Sequence, residues 1–208
     1  MKKLCVLVSL VLLLLSSVAS ADGRNVNNYN YINKNYNATH INGLIINVEV
    51  PESNRKYVAN PYIAENITYM MTKKLDNMKI KNITAQKFLT RLNYDAGGDL
   101  QKLLNTNPDK GINVIKMNSD FIQQYNGVLM VYVLAYQNDM SNSVVPWTGK
   151  TVAIKMIFMD MQQNKIIDCY ENRFKEDGLF SKISADHMAE RIVNGFLNNV
   201  QKKMSGKI

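Results

Sequence analysis

The side chains best suited to nucleophilic or metal chemistry are few: His40, His187 and two cysteines, Cys5 and Cys169. Cys169 falls in the strand-like run Ile166-Ile167-Asp168-Cys169-Tyr170, where a small buried hydrophobe outweighs a nucleophile. A Cys169/His187 dyad is conceivable if strand and helix are neighbours, yet nothing marks an oxyanion hole or an orienting group. Two isolated histidines with one mature cysteine do not give zinc-ligand spacing. There is no Gly-x-Ser-x-Gly elbow, no phosphate loop and no dinucleotide fingerprint. Asp95 and Asp99 flank Gly97-Gly98 as a turn and helix cap, without the alternating carboxylates of a calcium loop. Asp160 and Asp168 bracket a hairpin, and Met70, Met71, Met78, Met156 and Met159 fall at core spacing. No catalytic, cofactor-binding or metal-ligating residue is assigned, so the chain reads as a non-catalytic protein.

Contact chemistry is better represented. Pro146 and Trp147 lie in Val144-Val145-Pro146-Trp147-Thr148-Gly149, read as a loop between two strands. Core burial is the ordinary fate of a Trp, but an exposed tip here suits a protein or polymer contact. Tyr29, Tyr31 and Tyr36 punctuate an Asn-rich stretch over 22–42 that cannot bury much and reads as a flexible arm. Their spacing also allows an edge strand that docks on a partner. Three Asn-x-Thr sequons, at Asn37, Asn66 and Asn82, are products of an Asn-rich composition and are read as unmodified.

The formal net charge is +8, and loss of a leader with two lysines leaves +6. This charge suits an anionic envelope surface, though lysine greatly outnumbers arginine and drift in lysine usage explains the bias as well. No arginine cluster or aromatic–basic RNA motif is present, so nucleic acid is not expected as a partner.

Lys2 and Lys3, the apolar run Leu4–Leu15 and the small residues Ala19-Ser20-Ala21 form an export signal. The run is shorter than the roughly 20 residues of a spanning helix. Cys5 lies too early for lipid attachment. The expected organisation is therefore a signal peptide at 1–21, the arm at 22–42 and one α/β domain at 43–208. The mature chain is expected to be periplasmic or secreted, soluble and not lipid-anchored, with no later transmembrane segment.

Within the domain, Leu44–Val50 is a near-continuous apolar strand stopped by Pro51. Ile63, Ile67, Met70, Met71, Leu75 and Met78 predict an amphipathic helix opened near Pro61, followed by a strand candidate at 80–83. Thr84 reads as the cap of a short helix through Phe88, Leu89 and Leu92. Further helical turns are read at 100–104 and 119–122. Val128–Tyr136, Thr151–Met159 and Lys165–Phe174 predict strands, the last two antiparallel across the turn 160–164. A last helix from about Ser184 carries Met188, Ile192, Phe196, Val200 and Met204, with Lys202 and Lys203 suiting its carboxyl end. The fold class is α/β (α+β): a mixed sheet with a β-α-β start, an antiparallel three-strand meander and a C-terminal helix packed on it.

Tyr125-Asn126-Gly127 leading into an apolar strand, Asp160-Met161-Gln162-Gln163-Asn164-Lys165, and the helix start Asp186–Ile192 are similar to segments of bacterial envelope proteins. The group resembled comprises the TolB amino-terminal domain, the curli-secretion lipoprotein CsgG and the penicillin-binding-protein activator LpoB. Asn164 stands where that group usually has Gly, and Asn is the best non-Gly residue for a left-handed turn position. The resemblance, over roughly Gly43 to Met204, implies an accessory domain that acts through contacts with unidentified envelope proteins. The alternative is a binder of a small ligand or of cell-wall or lipid polymers, with a pocket near Trp147 and basic loops.

Overall fold

The computed structural model describes residues 24–80, 88–90, 123–140, 147–179 and 183–207. Its strands are β1 (Arg24–Ile32), β2 (Leu44–Glu49), β3 (Phe88–Thr90), β4 (Gly127–Met140), β5 (Trp147–Asp160) and β6 (Lys165–Leu179). Two α-helices, α1 (Ile63–Met78) and α2 (Ala185–Met204), and a 3-10 turn at Glu52–Tyr57 complete the described elements. The six strands form one sheet in the order β1-β6-β5-β4-β2-β3. β2 is parallel to both β3 and β4, whereas β4, β5, β6 and β1 are successively antiparallel. This is the expected mixed sheet, with a β-α-β start and the meander.

Period-two patterning decides which face each strand presents. Leu44, Ile46 and Val48 of β2, Leu129, Val131 and Val133 of β4 and Val152, Ile154, Met156 and Phe158 of β5 face the helices. There they meet Ile63, Ile67, Met71 and Leu75 of α1 and Met188, Ile192, Phe196 and Val200 of α2. These are the stripes that the 3.6-residue spacing predicts. Burying a side chain of this size stabilises by about 1.5–3 kcal/mol. The alternate residues Ile45, Val128, Met130, Ile157, Met159 and Cys169 form a second, smaller cluster on the other face. A sheet buried on both faces explains why β2 and β4 read as continuous apolar runs.

Local signals fall where they should at two ends. Ser184 caps α2, its side chain accepting from the His187 N–H at 3.1 Å. Asn164 has φ 49°, the left-handed conformation expected at the β5–β6 turn.

Three expectations are corrected. Residues 24–32 are not a free arm: they pair residue by residue with β6, from Arg24 opposite Lys175 to Ile32 opposite Asp168. The segment after them is packed too, with Ala38 and Ile41 buried. A low aliphatic content limits what a segment can bury alone, but a strand added to an existing edge needs mainly backbone hydrogen bonds. Phe88 and Leu89 lie in a short strand beside β2, not in a helix; Leu44 and Ile45 face them in parallel register. Pairing to β2 overrides the local helical reading, which rested on Thr84 as a cap and on the spacing of Phe88, Leu89 and Leu92. Trp147 is no loop residue but the first of β5, opposite Leu179. The strand candidate beyond Ile80, the turns read at 100–104 and 119–122, Asp95, Asp99 and Pro146 lie outside the described residues.

Candidate functional site

The chemistry weighed at Cys169 and His187 is separated by the sheet itself. Cys169 is fully buried in the cluster on the face away from the helices, while His187 stands exposed on α2. Burial pushes the Cys169 thiol up to about 11, so it is not a nucleophile near neutral pH. The His187 ring sits 3.9 Å from Glu190 on its own helix.

The structure instead concentrates polar contacts where the first strand and its continuation dock. Among the described strands β1 is one of the two at the edges of the sheet. Tyr31, opposite Cys169, packs against the second apolar cluster. Tyr36 also turns inward: its hydroxyl donates to Asp160 Oδ2 at 2.5 Å. Burial, reinforced by that carboxylate, pushes the Tyr36 phenol well above its ordinary range, so it stays a donor. His40 Nε2 lies 2.5 Å from the same oxygen and, because an ionised carboxylate only accepts, carries the proton. The backbone N–H of Gln163 donates to Asp160 Oδ1 at 2.9 Å. Asp160 is fully buried, and three donors offset its desolvation. Two of the tyrosines expected as contact residues are thus anchors; Tyr29 is fixed by register opposite Glu171.

Asn126 stitches the same region. Its Oδ1 accepts from the Asn42 N–H at 2.9 Å, its Nδ2 donates to the His40 carbonyl at 3.2 Å, and its own carbonyl accepts from Met161 N–H at 2.8 Å. Gly127 beside it permits a close crossing, since a Cβ there would meet Ile41 and Leu44 side chains at 2.7 Å. The Tyr-Asn-Gly signature read before β4 is therefore a docking device for residues 40–43.

The end of β1 is held from the helix layer. Lys203 of α2 is buried and donates to the Asn33 carbonyl, one residue past β1. Asp168, opposite Ile32, is buried beside it, and neither carboxylate oxygen has a hydrogen-bond partner. Burial raises the Asp168 carboxyl to about 6, and the nearby Lys203 charge only partly opposes that shift. Burial likewise lowers the Lys203 ammonium, against the pull of Asp168. Helical spacing puts Lys203, unlike the exposed Lys202, on the inner stripe of α2, but only the packing of α2 on β6 shows what it meets there.

A folded-state carboxyl raised from 3.8 to about 6 costs stability above pH 6, and that cost is relieved as pH falls through 6 toward 4. The stability of the chain relative to Asp168→Asn is expected to rise by about 2–3 kcal/mol between pH 8 and pH 4. Urea unfolding of both proteins across that range measures it; a pH-independent difference would mean Asp168 titrates normally.

A cavity of about 810 Å³ opens at the carboxyl end of β2, between the 3-10 turn and the start of α1. Glu49, Glu52, Glu65, Arg55 and Tyr132 are among its lining residues. It is acid-rich and is lined from β2, the 3-10 turn and α1, not from Trp147 and basic loops, where the sequence leads one to expect a ligand pocket. Among the described residues no group of three or more His, Cys, Asp or Glu is arranged to hold a metal ion. No described helix is long and apolar enough to cross a membrane.

No family model and no curated protein matches the chain. Among solved structures it is similar to the PelC dodecamer from Paraburkholderia phytofirmans, with TM-score 0.48 and 11% identity over 84% of this chain and 96% of that one. A hypothetical protein from Chlamydia trachomatis, CT253, gives 0.41 and 11%, covering 79% and 98%. The lipoprotein GNA1162 from Neisseria meningitidis gives 0.40 and 12%, covering 76% and 97%. Identities this low and superpositions this loose fix neither a family nor a role for this chain.

Proposed function

We propose that the chain is an exported, non-catalytic accessory protein of the bacterial cell envelope, periplasmic or secreted, that captures a protein partner along the outer edge of β1. The observation that carries this reading is the state of that edge. β1 is nine residues long, Arg-Asn-Val-Asn-Asn-Tyr-Asn-Tyr-Ile, and among the described residues no strand pairs with its outward side. Edge strands are ordinarily blunted by lysine, proline or brevity; β1 has only a bulge between Asn25 and Asn27 and one charge at its start. A long, nearly uncharged edge is suited to β-augmentation, in which main-chain hydrogen bonds supply affinity. The leader pattern supports export, and the motifs shared with the TolB amino-terminal, CsgG and LpoB group support an accessory role.

The test is crosslinking in the native envelope followed by mass spectrometry of what copurifies with the mature protein. One dominant partner is expected, lost both on deleting residues 24–32 and in Asn28→Lys/Asn30→Lys, which keeps the strand but charges its edge. Circular dichroism melts establish that both variants fold. A protein that runs alone, or a partner retained by both variants, overturns the reading. The second reading, a binder of small ligands, is favoured by the cavity at Glu49, whose volume is within the range of about 300–1,000 Å³ usual for ligand sites.

A further inference from the structure

The large hydrophobic side chains that stand exposed among the described residues are Tyr57 at the end of the 3-10 turn, Tyr62 at the N-cap of α1 and Tyr69 on α1. Tyr62 and Tyr69 are 68% and 69% exposed. Tyr69 borders a groove of about 530 Å³ between α1 and α2. One wall, on α1, carries Lys73 and Lys74; the other, on α2, carries Asp186 and Glu190. The helices run side by side with their carboxyl ends together, tied by Gln201 Nε2 donating to the Met78 carbonyl at 2.9 Å. No ion pair joins the two walls among the described residues: Asp186 accepts from Tyr136 OH, and Glu190 faces His187 at 3.9 Å.

A basic wall and an acidic wall flanking one groove make a surface complementary to itself. A two-fold axis lying in the plane of the contact and crossing the groove obliquely lays α1 of one copy over α2 of the other. Lysines then meet carboxylates twice, and the exposed Tyr69 gains cover. Isologous contacts of this kind are the commonest way for identical chains to associate, and tyrosine is enriched where they do.

We infer that the α1–α2 face is a homodimer interface, with Lys73 and Lys74 of each copy set against Asp186 and Glu190 of the other. This surface is on the helix layer, away from the β1 edge, so it stands whether or not β1 finds a partner. The association is salt-dependent, because its specificity comes from charges at a solvated rim.

The mature chain is examined by sedimentation velocity at low salt and at concentrations up to about 100 µM, where an interface of micromolar strength is populated. A dimer is expected. Lys73→Glu and Glu190→Lys, each alone, set like charges against one another at both contacts and raise the dissociation constant roughly tenfold or more. Mixing the two singly reversed proteins restores a dimer, because each chain then meets opposite charges on the other. That rescue cannot come from a folding defect, and thermal melts of each variant alone confirm folding. A wild-type chain that stays monomeric, an assembly larger than a dimer, single variants that dimerise unchanged, or a mixture that stays monomeric overturns the inference.

Discussion

Replacing Lys203 with methionine is expected to destabilise the folded chain by about 3–5 kcal/mol at pH 8, the usual cost of removing one member of a buried charge pair. The change strips the Asn33 carbonyl of its donor and leaves Asp168 as a buried carboxylate with neither hydrogen bond nor counter-charge. Methionine keeps the stem volume, so the loss reports charge and hydrogen bonding, not a cavity. Because the Asp168 carboxyl sits near 6 and rises further without the lysine, the penalty is expected to shrink by pH 5, where protonation neutralises it. The double variant Asp168→Asn/Lys203→Met is expected to recover much of the loss, since no buried charge remains. Urea denaturation of the two single variants and the double variant gives the coupling directly. Additive single effects, with no recovery in the double variant, would show that the two side chains do not interact.

The second large effect belongs to Asp160. Asp160→Ala removes the acceptor for Tyr36 OH, His40 Nε2 and Gln163 N–H together and is expected to cost about 3 kcal/mol. The loss is directional. With its anchor gone, the segment after β1 detaches from the β5–β6 turn, and amide exchange over residues 28–36 is expected to accelerate roughly 100-fold. Exchange in β4 and in the β5–β6 core should follow only the global stability. Tyr36→Phe removes one donor and should cost about 1 kcal/mol. Uniform acceleration across the sheet would show that Asp160 supports the hairpin without specifically holding β1. Since β1 is the proposed capture edge, Asp160→Ala is also expected to weaken partner recovery while leaving association through the helix face intact.

The helix and strand periods of this chain are determined locally, and the sequence is sufficient for them. Ile63–Leu75 and Met188–Met204 must share a stripe at 3.6 residues per turn, and Val152–Phe158 must share a face at two. Ser184 and Asn164 are legible for the same reason: a cap and a left-handed turn position are satisfied within a few residues. Tertiary structure decided what depends on distant partners. An Asn/Tyr segment with little to bury becomes a strand because β6 offers it an edge. Phe88–Thr90 becomes a strand because β2 lies alongside, although a cap at Thr84 and the spacing of Phe88, Leu89 and Leu92 read locally as a helix. Asp160, bound by Tyr36 and His40 from more than a hundred residues away, is indistinguishable in sequence from any turn aspartate. Lys203 and Lys202 are neighbours of the same type, yet only Lys203 faces the buried Asp168. Helical periodicity places it on the inner stripe, but nothing short of the packed sheet shows that a carbonyl and a carboxylate are waiting there.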